Sequence, residues 1–244
     1  MKSTGQFSSF SFQTATFCLL SIILLSAFGG CGADTDTPAP VVLPDTLSYL
    51  ALGDSYTIGE AVPEEDRWPI QLAERLCNLG VVVDTPVIVA RTGWTTQELS
   101  NGIRQRAITD TFSLVSLLIG VNNQFRGASL EVYMASFEAL IRTSLSFAGG
   151  EPQGVFVLSI PDYGVTPFGQ NRDPEKIARE INQFNAAADS ICQLYQINFF
   201  DITPISREAA QDRSLLAPDL LHPSGKMYAR WVDLILSDIL QKAR

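Results

Sequence analysis

Histidine is almost missing from this sequence: the 244 residues contain one, together with four scattered cysteines. A zinc site built from a His/Cys cluster is therefore not expected. Basic residues are also scarce. Against 26 Asp+Glu there are 17 Lys+Arg, a formal net charge of −9, and phosphate binding needs a basic surface, so nucleic acid is not an expected partner. No G-x-G-x-x-G or Walker pattern follows the first apolar run of the body, which argues against a nucleotide binder. No internal repeat and no second domain boundary is visible. Apolar material is plentiful: 46% of residues are hydrophobic and 18% charged, enough for a large core and too apolar for a disordered body.

Lys2 is the one charge in residues 1–30. The apolar run from Phe17 to Phe28 is shorter than the ~20 residues a spanning helix needs and fits the core of a secretory signal. It is followed by Gly29, Gly30 and Cys31. Small residues before a cysteine at this place resemble the lipobox of bacterial lipoproteins, from which Phe28 departs where an aliphatic residue is usual. The resemblance implies that Cys31 is lipidated and begins the mature chain, anchored to the cell envelope after export. Residues 33–46 are rich in Pro, Asp and Thr and read as a flexible tether. The expected organisation is a signal at 1–30, lipidated cysteine and tether at 31–46, and a folded domain at 47–244.

In that domain, apolar runs alternate with helical periodicity. Strands are expected at 47–52, 81–90, 112–119, 154–160 and 197–202. Helices are expected at 67–79 (stripe Leu72, Leu76, Leu79), 95–107, 130–147 (Leu130, Met134, Phe137, Ile141, Leu145), 174–195 (Ile177, Ile181, Phe184, Ala188, Ile191) and 223–242. Five β-α repeats imply a parallel sheet covered by helices on both faces. Right-handed crossovers in a flavodoxin-like order 2-1-3-4-5 put the first and last helices on one face and the other three opposite. Cys77 and Cys192 then fall on opposite sides of the sheet, as two free buried thiols. Trp68 and Trp231 sit on helical stripes and read as core.

Such a sheet carries its site at the carboxyl ends of the strands. After the first strand comes Gly53-Asp54-Ser55-Tyr56-Thr57-Ile58-Gly59. Ser55 stands at that edge as a nucleophile or as a helix N-cap, and the segment is not a G-x-S-x-G elbow. The lone histidine, His222, follows Asp219 by three residues. Imidazole is the natural base for a hydroxyl, and a nearby carboxylate can orient it. Pro223 disfavours helical geometry at His222 and makes it the expected cap of the last helix. Gly120-Val121-Asn122-Asn123 follows the third strand, where an Asn amide could hold an oxyanion or simply serve a turn. Gly93, in Arg91-Thr92-Gly93-Trp94, could bring a backbone N–H to a ligand or be a plain loop glycine, with a helix cap at Thr95 or Thr96.

These segments together resemble the SGNH (GDSL-type) hydrolase family: GDSYTIGE its first block, RTGWTT the second, GVNNQF the third and DLLHPSG the fifth. The resemblance runs from Leu47 to the C-terminus. It implies the three-layer α/β/α fold of that family, Ser55 as nucleophile, His222 as base and Asp219 as its orienting acid. The oxyanion hole would comprise Ser55 N–H, Gly93 N–H and the Asn122 side chain. The family's third block often reads G-x-N-D, and Asn123 departs from it, with altered local hydrogen bonding expected rather than lost activity. Trp94, Asn123, Tyr163 and Phe168 are the substrate-pocket candidates, although Tyr163 and Phe168 lie in a long loop that could pack on its own body. Arg126, just past the third block, could contact an anionic group of a substrate, but reads rather as solvated or structural.

The resemblance implies a serine ester hydrolase needing no metal or organic cofactor, acting on a small-molecule, lipid or glycan ester. Short acyl or O-acetyl groups lead, because the compact domain leaves an open site. Lysophospholipase, thioesterase or acyltransferase use of the same residues follows, then a non-catalytic carbohydrate- or acyl-binding module, which loss of Ser, Asp or His would have favoured. A monomer attached to the membrane through its N-terminal lipid is expected.

Overall fold

The computed structural model describes residues 46–242. The signal, Cys31 and the tether expected at 1–46 lie outside the described residues but for Thr46. Five parallel strands form one sheet: β1 (Tyr49–Gly53), β2 (Val87–Ala90), β3 (Leu114–Leu118), β4 (Val155–Leu158) and β5 (Asn198–Phe200). Their order is β2-β1-β3-β4-β5, the expected one. The three inner strands are buried at every position, which is why they read as continuous apolar runs instead of alternating ones. The edge strands β2 and β5 are only partly covered. One polar side chain lies within β3: the Ser116 hydroxyl meets the Tyr49 hydroxyl at 3.0 Å, so neither is buried unsatisfied.

The helices are α1 (Ser55–Ile58), α2 (Trp68–Asn78), α3 (Thr96–Arg106), α4 (Val121–Phe125), α5 (Leu130–Phe147), α6 (Pro167–Gln170), α7 (Pro174–Leu194), α8 (Thr203–Arg207) and α9 (Gly225–Lys242). Helices α2 and α9 pack together on one face, and α5 packs with α3 and α7 on the other, as the crossover rule requires. Trp68 and Trp231 are fully buried. Helix α7 buries its whole expected stripe.

Several expectations need correction. Helix α2 ends at Asn78, and Leu79, its left-over stripe residue, is the cap and 45% exposed. A buried stripe of Leu72, Ala73 and Leu76 leaves Cys77 one step round the helix, so this thiol is exposed. Cys192 is buried as expected, and both thiols are free. In α5 the buried face is Tyr133, Phe137, Leu140, Ile141 and Ser144, whereas Leu130 and Met134 are exposed. The face is set by Tyr133, which stacks on Phe184 of α7 at 4.5 Å. An aromatic pair outweighs a neater aliphatic period. The second strand begins at Val87, because Pro86 and the preceding loop give only a single bridge, Leu47 to Val83.

Candidate active site

Strand β1 ends at Gly53, and the chain turns at once into α1. A Cβ at Gly53 would lie 2.2 Å from Thr57 Oγ1 and 2.6 Å from the Leu118 carbonyl, so only glycine lets the turn sit this close to β3. Asp54 is the N-cap, its carboxylate accepting from Tyr56 N–H at 3.1 Å. Ser55 is thereby released from the capping role and stands as the first residue of α1. It is 5% exposed and lines the cleft at the carboxyl edge of the sheet. Asp54 is fully buried, and burial pushes its carboxyl up to about 7 against the lowering effect of the Tyr56 N–H.

The Arg91–Trp94 turn closes with Trp94 N–H donating to Arg91 O at 3.2 Å. Gly93 holds φ +83°, left-handed geometry that suits glycine. Arg126 pins this turn: its Nη2 donates to Gly93 O at 2.6 Å, while Nη1 pairs with Glu98. Glu98 is in turn the third residue of a capping box with Thr95, a spacing readable as T-x-x-E. With the carbonyl engaged, the Gly93 N–H has no acceptor among the described residues. The Ser55 N–H likewise has none.

Asn122 follows Gly120 on α4 and reaches back to the same place. Its Nδ2 donates to Trp94 O at 2.9 Å and lies 3.5 Å from Asp54 Oδ2. The short bond fixes the amide, and the long one is at the limit of a hydrogen bond, leaving the second N–H free for a better acceptor.

The Asp219–His222 loop is closed on itself. Leu216 bridges Pro223, Ala217 N–H donates to His222 O at 2.8 Å, and Leu220 N–H donates to Ala217 O at 2.9 Å. Leu220 takes φ +58°, which turns the chain so that Asp219 Oδ1 receives both Leu221 N–H and His222 N–H at 3.0 Å. Asp219 Oδ2 meets His222 Nδ1 at 2.6 Å. Burial pulls the Asp219 carboxyl upward. The ring and backbone hydrogen bonds outweigh it and hold the group below the usual carboxylate range. The His222 ring stands edge-on to Tyr56 at 5.6 Å. The last helix is capped by Ser224, which accepts Tyr228 N–H at its carbonyl, so His222 is not its cap. Pro223 is spent on the bridge, two residues before the helix begins.

Ser55, Gly93, Asn122 and His222 line one cleft, together with Tyr56, Thr92, Val121, Phe125, Tyr163, Phe168 and Leu221. Its cavity volume is about 160 Å³. Ser55 Oγ and His222 Nε2 are not hydrogen-bonded in this structure, and catalytic links of this kind often tighten only with substrate bound. Of the pocket candidates, Tyr163 and Phe168 line the cleft, and Trp94 and Asn123 do not. The Trp94 ring folds back onto α3, where a Cβ at Gly102 would strike it at 2.1 Å; only its carbonyl serves the site. Asn123 is buried and bonded to Thr96, accepting from its N–H at 3.0 Å and donating to its hydroxyl at 2.8 Å. Thr96 passes the chain to Ser136 at 2.7 Å, so Asn123 ties α4 to α3 instead of meeting substrate. Sequence reading missed Asp54, Phe125 and Leu221 at the site. It placed Arg126 as solvated or structural, and the Gly93 clamp is its structural use.

The GDSL-like Lipase/Acylhydrolase family matches residues 51–230. The fold is similar to that of a solved structure of TesA (15% identity, 80% of this chain and 99% of that one, TM-score 0.64). It is similar also to Axe2, an acetylxylan esterase from Geobacillus stearothermophilus (19% identity, 79% and 94%, TM-score 0.62). A third such structure is the psychrotrophic esterase EstA from Pseudoalteromonas sp. (17% identity, 80% and 97%, TM-score 0.58). No curated protein matches the sequence. Sheet order and family match define the three-layer α/β/α fold of the SGNH hydrolases. The chain belongs to the GDSL-like lipase/acylhydrolase family.

Proposed function

We propose that this protein is a serine carboxylester hydrolase for short acyl or O-acetyl groups, working through an acyl-enzyme. The observation that carries the reading is the convergence of Ser55, Gly93, Asn122 and His222 on one cleft, with Asp219 bonded to the far nitrogen of His222 at 2.6 Å. That bond leaves Nε2 to take the Ser55 proton as Oγ attacks an ester carbonyl. The unpaired N–H groups of Ser55 and Gly93 and the second N–H of Asn122 are donors for the oxyanion. His222 then protonates the leaving alcohol, and water attacks the acyl-serine. The small cavity favours a short acyl group; a cavity of about 150 Å³ is the size that takes up benzene. Export and attachment through a lipid on Cys31, as a monomer, belong to the same proposal and rest on the apolar run and Gly-Gly-Cys of the sequence.

The test is hydrolysis of p-nitrophenyl esters from acetate to palmitate by the purified full-length chain beside Ser55→Ala. Turnover that falls with acyl length and drops at least ~10³-fold in Ser55→Ala is expected. Equal turnover by the two proteins would remove Ser55 from the chemistry.

A further inference from the structure

The far end of the cleft is built from three aromatic rings. Phe125 lies 5.9 Å from Phe168 and 6.1 Å from Tyr163, and Phe168 lies 6.2 Å from Tyr163, ring centre to ring centre. Tyr163 is buried and donates its hydroxyl to Gln124 at 3.0 Å. Phe125 and Phe168 stay 44% and 38% exposed, so their rings form an accessible apolar edge to the cleft.

What lies over them is Arg172. Its guanidinium carbon sits 4.5 Å from the Phe168 ring centre and 5.0 Å from that of Phe125. Two neighbouring arginines are paired with carboxylates, Arg126 with Glu98 and Arg207 with Asp162, whereas Arg91, on the Gly93 turn, has no such pair among the described residues but is not stacked on the aromatic rings. Among the described residues Arg172 has no carboxylate partner and no side-chain hydrogen bond. The nearby acids are already engaged: Asp173 accepts Lys176 N–H, and Glu180 takes Gln124 and Lys176. A guanidinium held against aromatic rings without a hydrogen-bond partner keeps N–H groups to offer, and its planar fork suits an oxyanion. Arg172 lines the hollow beside the cleft, which shares Phe125 and Tyr163 with it, and in a chain of net charge −9 a free cation there opposes the general repulsion of anions.

We propose that Arg172 is a specificity residue that receives an oxyanion, carboxylate or phosphate, carried by the ester substrate, with Phe125 and Phe168 holding it in place. The proposal rests on the reading of the cleft as a Ser55 esterase site. It predicts that an anionic ester is a better substrate than its neutral twin, contrary to what the net charge alone would give.

The experiment compares kcat/KM, corrected for spontaneous hydrolysis, within matched pairs on the purified full-length chain. Mono-4-nitrophenyl succinate against 4-nitrophenyl butyrate places the carboxylate on the acyl side. Two probes with the anion on the alcohol side, 4-acetoxybenzoate and 4-acetoxyphenyl phosphate, are set against phenyl acetate and separate carboxylate from phosphate. At least one anionic probe should exceed its neutral twin about three- to fivefold. The ratio should fall to near one in Arg172→Gln, be only partly kept in Arg172→Lys, which retains charge without the planar fork, and shrink with added salt. Ratios at or below one in the wild type, or a ratio that survives Arg172→Gln, overturn the proposal while leaving the esterase reading intact. No Ser55-dependent turnover of any probe overturns both.

Discussion

The two halves of the candidate catalytic machinery are made in opposite ways. The nucleophile side is part of the core: Gly53 is squeezed against β3, Asp54 is fully buried, and Ser55 is tied by position to a buried inner strand. The acid–base side is a surface turn whose bonds run almost entirely within residues 216–223. It is anchored from outside by ion pairs of Glu208 with Arg230 and Asp212 with Lys226, which fix the preceding segment to α9. Stability and activity should therefore be inseparable at the first half and separable at the second.

Asp219→Ala is the largest test of that separation. It removes the acceptor that orients the His222 ring, so kcat/KM on p-nitrophenyl acetate should fall about 10⁴-fold. The carboxylate is a third exposed and its partners can turn to water, so thermal unfolding should move by only a few degrees. A collapse of stability with the activity would show that the turn is not self-contained.

Gly53→Ala tests the other half. The added methyl meets the Leu118 carbonyl and the Thr57 side chain well inside contact distance, and backbone cannot yield as a side-chain tip can. A loss of about 3 kcal/mol or more is expected, a midpoint shift of roughly 6–12 °C for a domain of this size. A stable Gly53→Ala protein with altered activity would overturn the description of this turn as core.

Asp54 gives the same half a pH signature. Its carboxyl is raised by burial from 3.8 to about 7, so the folded state holds a proton that the unfolded chain releases. The corresponding stability is fully present below about 4 and is lost as the pH rises through about 7. Asp54→Asn keeps the acceptor for Tyr56 N–H and removes the titration. The difference in midpoint between the Asp54→Asn protein and wild type should move in favour of the variant from pH 4 to pH 7, by roughly 7–14 °C. A difference that is flat with pH would mean that Asp54 does not titrate in this window.

Much of this arrangement was legible in the sequence, and the failures share a cause. Strand order, the two helical faces and the residues at the sheet edge follow from period, handedness and local chemistry. Trp94, Asn123 and the stripe of α5 were misread because each depends on a partner in another element: Gly102 receives the Trp94 ring, Thr96 takes both ends of the Asn123 amide, and Phe184 chooses the buried face of α5. The capping box of Thr95 and Glu98 was available from spacing alone. What spacing could not give is that Glu98 also holds the arginine that clamps Gly93.

The finest division between the halves is at Leu220. Its φ of +58° costs a non-glycine residue about 1 kcal/mol, and the side chain is 46% exposed, so packing returns little of it. Leu220→Gly relieves that strain but gives the unfolded chain about as much extra freedom. The midpoint should stay within roughly 2 °C of wild type, with kcat/KM within about threefold, because Asp219 still collects the same two N–H groups. Leu220→Val adds a β-branched side chain where the backbone is already left-handed. It should lose about 1 kcal/mol more and lower kcat/KM further than its stability loss accounts for, since unwinding the turn parts Asp219 from His222. If glycine and valine behave alike in both measurements, the left-handed residue is not what holds the acid on its histidine, and the turn must draw its shape from the Leu216–Pro223 bridge instead.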